Sequence, residues 1–582
     1  MKRLSMADAI FLYAETSQTP MHVGSVTTFK PAAQGDDLFA RFREHVASRL
    51  DLLPSSRRRL KSTPLGLDQP VWVVDDNLDL DYHVRHHALP NPGGMEALRT
   101  LIGRLHALPL DRARPLWEYH FIEGLEDGAF AVYVKVHHST MDGLAGMATL
   151  GVTFDFEPGA EGVGLPERIV PPDDEPSDAI ELASTAVGDF LRHGWQAAKA
   201  LPGMGKAVFK AAPNFGRDAR FLYGYVKDMP RTPFNRTISG RRVFATSSLP
   251  LAEVKALAKS QGVTINDVVL ALCAGALRRY LAERKVLPKK PLTAGLPVSL
   301  RPPGNAQLNN QVFFTLSRLP TDVADPLPRL AAAQAAGKEA KNLFADMRDL
   351  ITTDVSLPGA PLVVTGMTRL WVGARAANYL WPFFNTVISN VPGPKHPMYC
   401  VGAAATHYYP VSIPYHGCAL NITVQSYLDQ LDFGLVACSK TVPDAQRIAD
   451  FLVEDFSAMR EGDARRSRPE SAKAITGPSQ APIGVANAGV GASTDRRSRL
   501  TRDIEALSAA TEALLRRLDK RAPASAAAQP SGPKPRSKRR KPASVARAAK
   551  RAAKPRRRPA APPASSRPSG AHRAPDGARP SR

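Results

Sequence analysis

The chain has 582 residues and a net charge of +23, but 29 of its 77 basic and only 8 of its 54 acidic residues fall after Gly462, which leaves 48 basic against 46 acidic side chains in residues 1 to 462. A near-neutral body with a polycationic tail excludes a protein that binds nucleic acid over its whole surface. The longest apolar run, Val268 to Leu277, falls short of the roughly 20 residues of a spanning helix, the N-terminus lacks the apolar core of a secretory signal, and four cysteines without a C-x-x-C pair speak against a disulfide scaffold or zinc site, so the sequence reads as intracellular.

The body exceeds the roughly 250 to 300 residues that one hydrophobic core covers. Two domains of mixed α+β texture are expected, at 1-156 and 232-462, with a linker and cationic helical segment at 157-231 between them and a tail at 463-582. In the first domain, Ser5-Met-Ala-Asp8 fits a capping box that opens a helix through Ile10, Phe11 and Ala14. His83, His86 and His87 read as solvated strand or loop positions. Phe130 to Val136 alternates strictly and predicts a half-buried strand, with Phe130, Val132, Val134 and Val136 on one face and Ala131, Tyr133 and Lys135 on the other. Pro- and Gly-rich sequence after Glu157 ends the domain.

In the second domain, Thr264-Ile-Asn-Asp267 is another capping box, ahead of a helix through Leu272, Leu277 and Tyr280. Leu420 to Val424 and Leu431 to Val436 predict a hairpin turning at Asp429-Gln430. Leu370, Trp371, Tyr379, Leu380, Trp381, Phe383 and Phe384 concentrate apolar bulk near Arg369 and Arg375, which fits a membrane-facing helix and a buried one equally. The tail has no aromatic residue and is dense in Ala, Pro, Ser, Arg and Lys, so it cannot bury enough apolar surface to offset chain entropy. Leu500, Ile504, Leu507, Leu514 and Leu518 keep helical spacing inside it, a short amphipathic helix near 498-520.

The segment richest in chemistry is His137-His138-Ser139-Thr140-Met141-Asp142-Gly143, directly after the alternating strand. Continued alternation turns His138 inward with Val132, Val134 and Val136, and His137 to the opposite face. An imidazole held in a cleft suits a general base that takes a proton from a hydroxyl. An ordinary pairing of a core and a surface histidine fits the same pattern. A metal reading is also open, because two histidines and an aspartate can bind a divalent ion, but adjacent histidines on opposite strand faces cannot easily meet at one tetrahedral centre.

His-His-x-x-x-Asp-Gly at 137 to 143 resembles the active-site motif of the bacterial wax ester synthase/acyl-CoA:diacylglycerol acyltransferases, in the CoA-dependent acyltransferase superfamily. Leu4-Ser5, Met21-His22-Val23-Gly24, Pro115-Leu116-Trp117-Glu118, Asn266-Asp267, Pro297-Val298-Ser299-Leu300-Arg301, Asn390-Val391-Pro392-Gly393-Pro394 and Ser426-Tyr427 resemble further signatures of that family, in its order. The resemblance spans roughly residues 1 to 460. It implies an α+β fold of two pseudo-symmetric domains with the active site at their interface. It further implies direct transfer of an acyl group from acyl-CoA, a substrate rather than a cofactor, to diacylglycerol or a long-chain alcohol, without an acyl-enzyme, a cofactor or a metal. His138 would be the base. Asp142, beside Gly143, would shape the loop through an ion pair, for which Arg301 is the candidate partner.

For the other signature residues, structural readings compete. Asp267 fits helix capping, and Asn266 is a candidate oxyanion donor. Pro115, Leu116 and Trp117 line either the acyl channel or the core. Two other functions compete with the leading one. A condensation enzyme fed by a carrier protein would require carrier or adenylation domains, which the sequence lacks, and an inactive lipid-droplet surface protein would have no need of His138 and Asp142. The substrates are lipid-soluble, so a peripheral position on the inner membrane or a lipid droplet is expected, with the tail attracted to an anionic surface or, as its alternative partner, nucleic acid.

Overall fold

The structure is a computed structural model and describes residues 4–31, 37–52, 54–63, 69–140, 153–159, 227, 229–299, 312–348 and 360–467. Asp142, Gly143, Arg301, most of the cationic segment at 157-231 and the 498-520 helix lie outside these residues.

Two six-stranded sheets organise the body. In chain order the first half supplies α1 (Met6–Ala14), β1 (His22–Lys30), α2 (Leu38–Arg49), β2 (Arg58–Lys61), β3 (Val71–Val74), α3 (Leu80–His83), β4 (Val84–Ala88), α4 (Met95–Ala107), β5 (Trp117–Glu123) and β6 (Phe130–His137). The second supplies β7 (Arg242–Pro250), α5 (Leu251–Ser260), α6 (Ile265–Glu283), β8 (Leu292–Ser299), β9 (Val312–Leu319), α7 (Pro326–Arg348), α8 (Ala360–Gly373), β10 (Thr386–Val391), β11 (Tyr399–Cys400), β12 (Ala403–Val411), β13 (Leu420–Tyr427), β14 (Gln430–Cys438) and α9 (Ala445–Ser467). The first sheet runs β11-β12-β1-β6-β5-β4 and the second β7-β14-β13-β10-β8-β9. This is the α+β texture that the sequence pattern predicts, built on two sheets. Residues 399–411 of the expected second domain are hydrogen-bonded into the first sheet, where β12 pairs antiparallel with β1.

The Thr264 capping box forms in full, whereas Ser5 caps α1 through its side chain alone. Ser5 Oγ accepts the Asp8 amide at 3.1 Å, and Thr264 Oγ1 accepts the Asp267 amide at 3.2 Å while Asp267 Oδ2 accepts the Thr264 amide at 2.9 Å. Each satisfies amides that a helix start leaves without intrahelical partners. The predicted hairpin is β13–β14, turning at Leu428-Asp429, one residue earlier than the sequence suggests, with Leu428 in the left-handed region at φ 48°. All four cysteines are buried.

Each sheet has its own core. Phe42 and Val46 of α2 pack with Phe130, Val132, Val134 and Val136 of β6. Helices α5, α6 and α9 cover the second sheet. A third cluster joins the halves, in which Ala131 and Tyr133 of β6 and Leu98, Ile102 and Leu105 of α4 meet Phe244 of β7, Tyr409 and Val411 of β12, and Val436 of β14. Backbones approach closely at this seam, where a Cβ on Gly434 would lie 1.7 Å from the Pro410 carbonyl oxygen.

That cluster corrects the reading of β6, whose eight residues are all buried. The second face carries α4 and the second half rather than water. Lys135 is buried there because its ammonium meets Glu118 Oε2 at 3.0 Å, and burying a charge demands such a partner. His83 is likewise buried, not solvated. It stacks on Trp117 at 4.3 Å and is hydrogen-bonded through Nδ1 to the Trp117 carbonyl at 2.7 Å.

Candidate active site

Strand β6 ends at His137, and a turn follows at once, closed by the Thr140 amide on the His137 carbonyl at 3.0 Å. The direction of His138 is therefore set by this turn and not by continued pleating. Its amide donates to the Met21 carbonyl at 2.9 Å. Its ring lies flat on Phe11 of α1, with centroids 4.0 Å apart and planes 9° from parallel. The side chain is partly exposed, whereas His137 is fully buried.

His137 is held on both sides. Its Nδ1 accepts the Ser139 amide at 3.1 Å and lies 2.7 Å from Ser139 Oγ. An accepting Nδ1 places the proton of the neutral ring on Nε2, and Nε2 lies 3.4 Å from Glu15 Oε1. Burial pushes the His137 pKa below the ordinary imidazole value against the opposing pull of Glu15, which keeps the ring neutral near pH 7. Burial also acts to raise the Glu15 pKa, but the adjoining His137 ring and Arg112 outweigh it and hold the carboxylate down at about 2. Arg112 grips Glu15 Oε2 through Nε at 3.0 Å and Nη2 at 2.7 Å, a charge-assisted pair with both donors on one oxygen.

Met21 ties these pieces together, because its amide donates to Glu15 Oε1 at 3.0 Å and its carbonyl accepts His138. Sequence reasoning singled out both histidines but missed Glu15, Arg112 and Phe11. The signal was a single acidic residue at the end of a helix, which only the pairing of β1 with β6, with His22 opposite His137, brings to the motif.

The other candidates are placed as follows. Pro115, Leu116 and Trp117 are buried. Leu116 packs with Leu4, Ala9, Leu12 and Tyr13 under α1, and Trp117 sits in the first-sheet core with its indole N–H on the Ser56 carbonyl at 2.8 Å. Asp267 caps α6. Asn266 is half-buried on the first turn of that helix, in the second half. Among the described residues no group of three or more His, Cys, Asp or Glu side chains stands at metal-binding spacing. The first and second halves meet beside the site, where Val364 of α8 packs against the cluster that carries α1.

The wax ester synthase/diacylglycerol acyltransferase catalytic domain matches residues 4–269, and the C-terminal domain of the same family matches residues 308–460. The chain belongs to this family. A Mycobacterium tuberculosis protein named "Probable diacyglycerol O-acyltransferase tgs2" is 37% identical over 461 residues, covering 78% of this chain and 98% of its own. A Mycobacterium bovis protein with the same activity in its name matches to the same extent. The solved wax ester synthase/diacylglycerol acyltransferase of Marinobacter aquaeolei VT8 superposes with a TM-score of 0.57 at 34% identity, covering 80% of this chain and all of that one. The Met21-His22, Pro115-Leu116 and histidine-pair segments lie far apart in the sequence. They are neighbours here, Met21 receiving His138 and the Leu116 carbonyl receiving the His137 amide at 3.0 Å.

Proposed function

We propose that this acyltransferase moves a long-chain acyl group from acyl-CoA to diacylglycerol, and also to long-chain alcohols, with His138 as the base. The observation that carries the reading is the split between the two histidines. His137 is walled in by Ser139 and Glu15, while His138 keeps a partly exposed ring on Phe11, in a chain of this family.

In the proposed reaction His138 takes the proton of the acceptor hydroxyl as its oxygen attacks the thioester carbonyl. The tetrahedral oxyanion collapses, the C–S bond breaks, and the imidazolium returns its proton to the leaving CoA sulfur. No residue is acylated. His137, neutral and tied to Glu15 and Ser139, fixes the turn that presents His138. Asn266 is the proposed oxyanion donor, a role that such donors fill at roughly 3 to 4 kcal/mol each. Asp142 and Arg301 are proposed as the loop-shaping ion pair. In a double-mutant cycle Asp142→Ala and Arg301→Ala should together cost less than the sum of the two singles, and strict additivity removes Arg301 as the partner. Peripheral attachment to the inner membrane or a lipid droplet, with the basic tail on an anionic surface, is part of the same proposal, and nucleic acid is the tail's alternative partner.

The deciding experiment incubates purified protein with radiolabelled acyl-CoA and either diacylglycerol or hexadecanol in detergent. Labelled triacylglycerol, with or without wax ester, supports the reading, and label recovered only as free acid overturns it.

A further inference from the structure

Thirteen large apolar side chains stand exposed among the described residues, and six of them, Met367, Leu370, Tyr379, Leu380, Trp381 and Phe383, fall on the end of α8 and the turn after it. Leu370, Tyr379, Trp381 and Phe383 are between 62% and 77% exposed. A cluster of this kind on an otherwise well-covered protein marks a surface with a partner.

The segment is firmly anchored. Arg231 donates to the carbonyls of Ala377 and Tyr379 at 2.9 and 3.0 Å, and Asn378 Oδ1 accepts the Thr237 amide at 2.9 Å. Immediately afterwards Phe384 returns to the interior, stacked on Phe314. The aromatics are thus held outward by a fixed turn, and presenting them costs little ordering entropy.

Charge selects the partner. From residue 355 to residue 428 the sequence contains no Asp or Glu, while Arg369, Arg375 and Arg231 are all exposed around the aromatics. Asp8 and Glu15, on or at the end of the α1 helix that α8 packs against, are themselves buried. Tyr and Trp favour the boundary between headgroups and acyl chains, and arginines beside them favour anionic headgroups. We propose that this face docks the enzyme on an anionic phospholipid surface, with Tyr379, Trp381 and Phe383 seated at the boundary.

Position agrees with charge. Helix α8 packs through Val364 on the cluster of α1, and α1 carries Phe11 against His138. A lipid surface on this face lies one helix away from the proposed base. The inference rests on the acyl-transfer reading only for what the surface delivers.

The test uses the full chain, tail included, so that any difference reports on this face. Wild type and a Leu370→Ser/Trp381→Ser/Phe383→Ser variant, with matched circular dichroism and melting, are sedimented with vesicles of phosphatidylglycerol and phosphatidylcholine at about 0.5 M salt, where tail electrostatics are screened. The bound fraction of the variant should fall at least tenfold. Vesicles with brominated acyl chains should quench wild-type tryptophan fluorescence, and Trp381→Phe, a conservative change, should remove most of that quenching while binding persists. Unchanged binding by the triple variant, or equal quenching of Trp381→Phe and wild type, overturns the proposal. So does a wild type that is dimeric in light scattering when the triple variant is monomeric, which assigns the face to a second copy of the chain. Binding is read without turnover, so a protein that passes these tests but makes no triacylglycerol in detergent sinks the reaction and leaves the docking face standing.

Discussion

Glu15 faces His137 at 3.4 Å from the end of the first helix, and the same carboxylate oxygen receives the amide of Met21, whose carbonyl receives His138. One buried charge thus supports both histidines, though it touches only one of them. The two positions should respond differently to substitution. His138→Ala is expected to lower kcat by a factor on the order of 10³, within the range for removing a general base, with an unchanged melting temperature. His137→Ala should retain measurable turnover yet lose about 2 to 4 kcal/mol of stability, since it opens a cavity beside a buried carboxylate. Single-turnover kinetics and urea unfolding on both variants check this, and the reverse order of damage would reassign the base.

Glu15→Gln should act on the protein in a pH-dependent way. The carboxylate sits at about 2 when folded against an ordinary value of 4.5, so its stabilisation is fully present above pH 4.5 and is lost as pH falls toward 2. The gap of some 2.5 units corresponds to roughly 3 kcal/mol. Unfolding free energies of wild type and variant should therefore differ most at neutral pH and converge only as pH falls to about 2.

His106 predicts an acid limit at the seam. Its Nε2–H donates to the Ser412 carbonyl at 2.9 Å and its Nδ1 accepts from the Tyr133 hydroxyl at 2.7 Å, while burial holds its pKa down at about 3. The unfolded chain binds a proton there from its ordinary value of 6.5 downward, so this histidine removes stability as pH falls from 6.5 to 3, by about 1.4 kcal/mol per unit. His106→Gln should flatten the stability curve in that interval, as read by denaturant melts across pH.

Behind the motif, Glu118 receives Lys135 at 3.0 Å and Arg85 at 3.1 Å. Lys135→Met alone should cost about 3 to 5 kcal/mol because it strands a buried charge. Combined with Glu118→Gln it should cost less than the sum of the two singles, and a double-mutant cycle in urea measures the difference.

Gly24 of β1 has no room for a side chain, since a Cβ would lie 1.9 Å from the Val134 carbonyl oxygen on β6. Gly24→Ala should push the two strands apart next to His137, lowering stability by about 3 kcal/mol or more and activity with it. A variant that melts like wild type shows that the strands yield without cost.

Much of the fold around this candidate site was legible in the sequence because local pattern and chemistry agreed there. The helix caps at Ser5 and Thr264, the β6 strand and the β13–β14 hairpin, though with its turn one residue off, follow from spacing alone. The burial of Lys135 and His83 did not, because alternation reports one face of a strand and says nothing of what later covers the other. Glu15 and Phe11 were invisible for a related reason. They reach the motif through strand pairing between residues more than a hundred positions apart, and no local pattern encodes that distance.

The pairing of β12 with β1 sets a condition on biosynthesis. Val26 and Tyr409 are partners in the same sheet, separated by roughly 380 residues. Until the ribosome has released the chain beyond Val411, β1 presents an open edge of unpaired amides and carbonyls, the kind of edge that recruits stray strands. The first half cannot finish its sheet alone, so neither half is a module that could be excised and expected to fold. Such long-range closure is slow, and the open edge stays exposed to aggregation for as long as it takes.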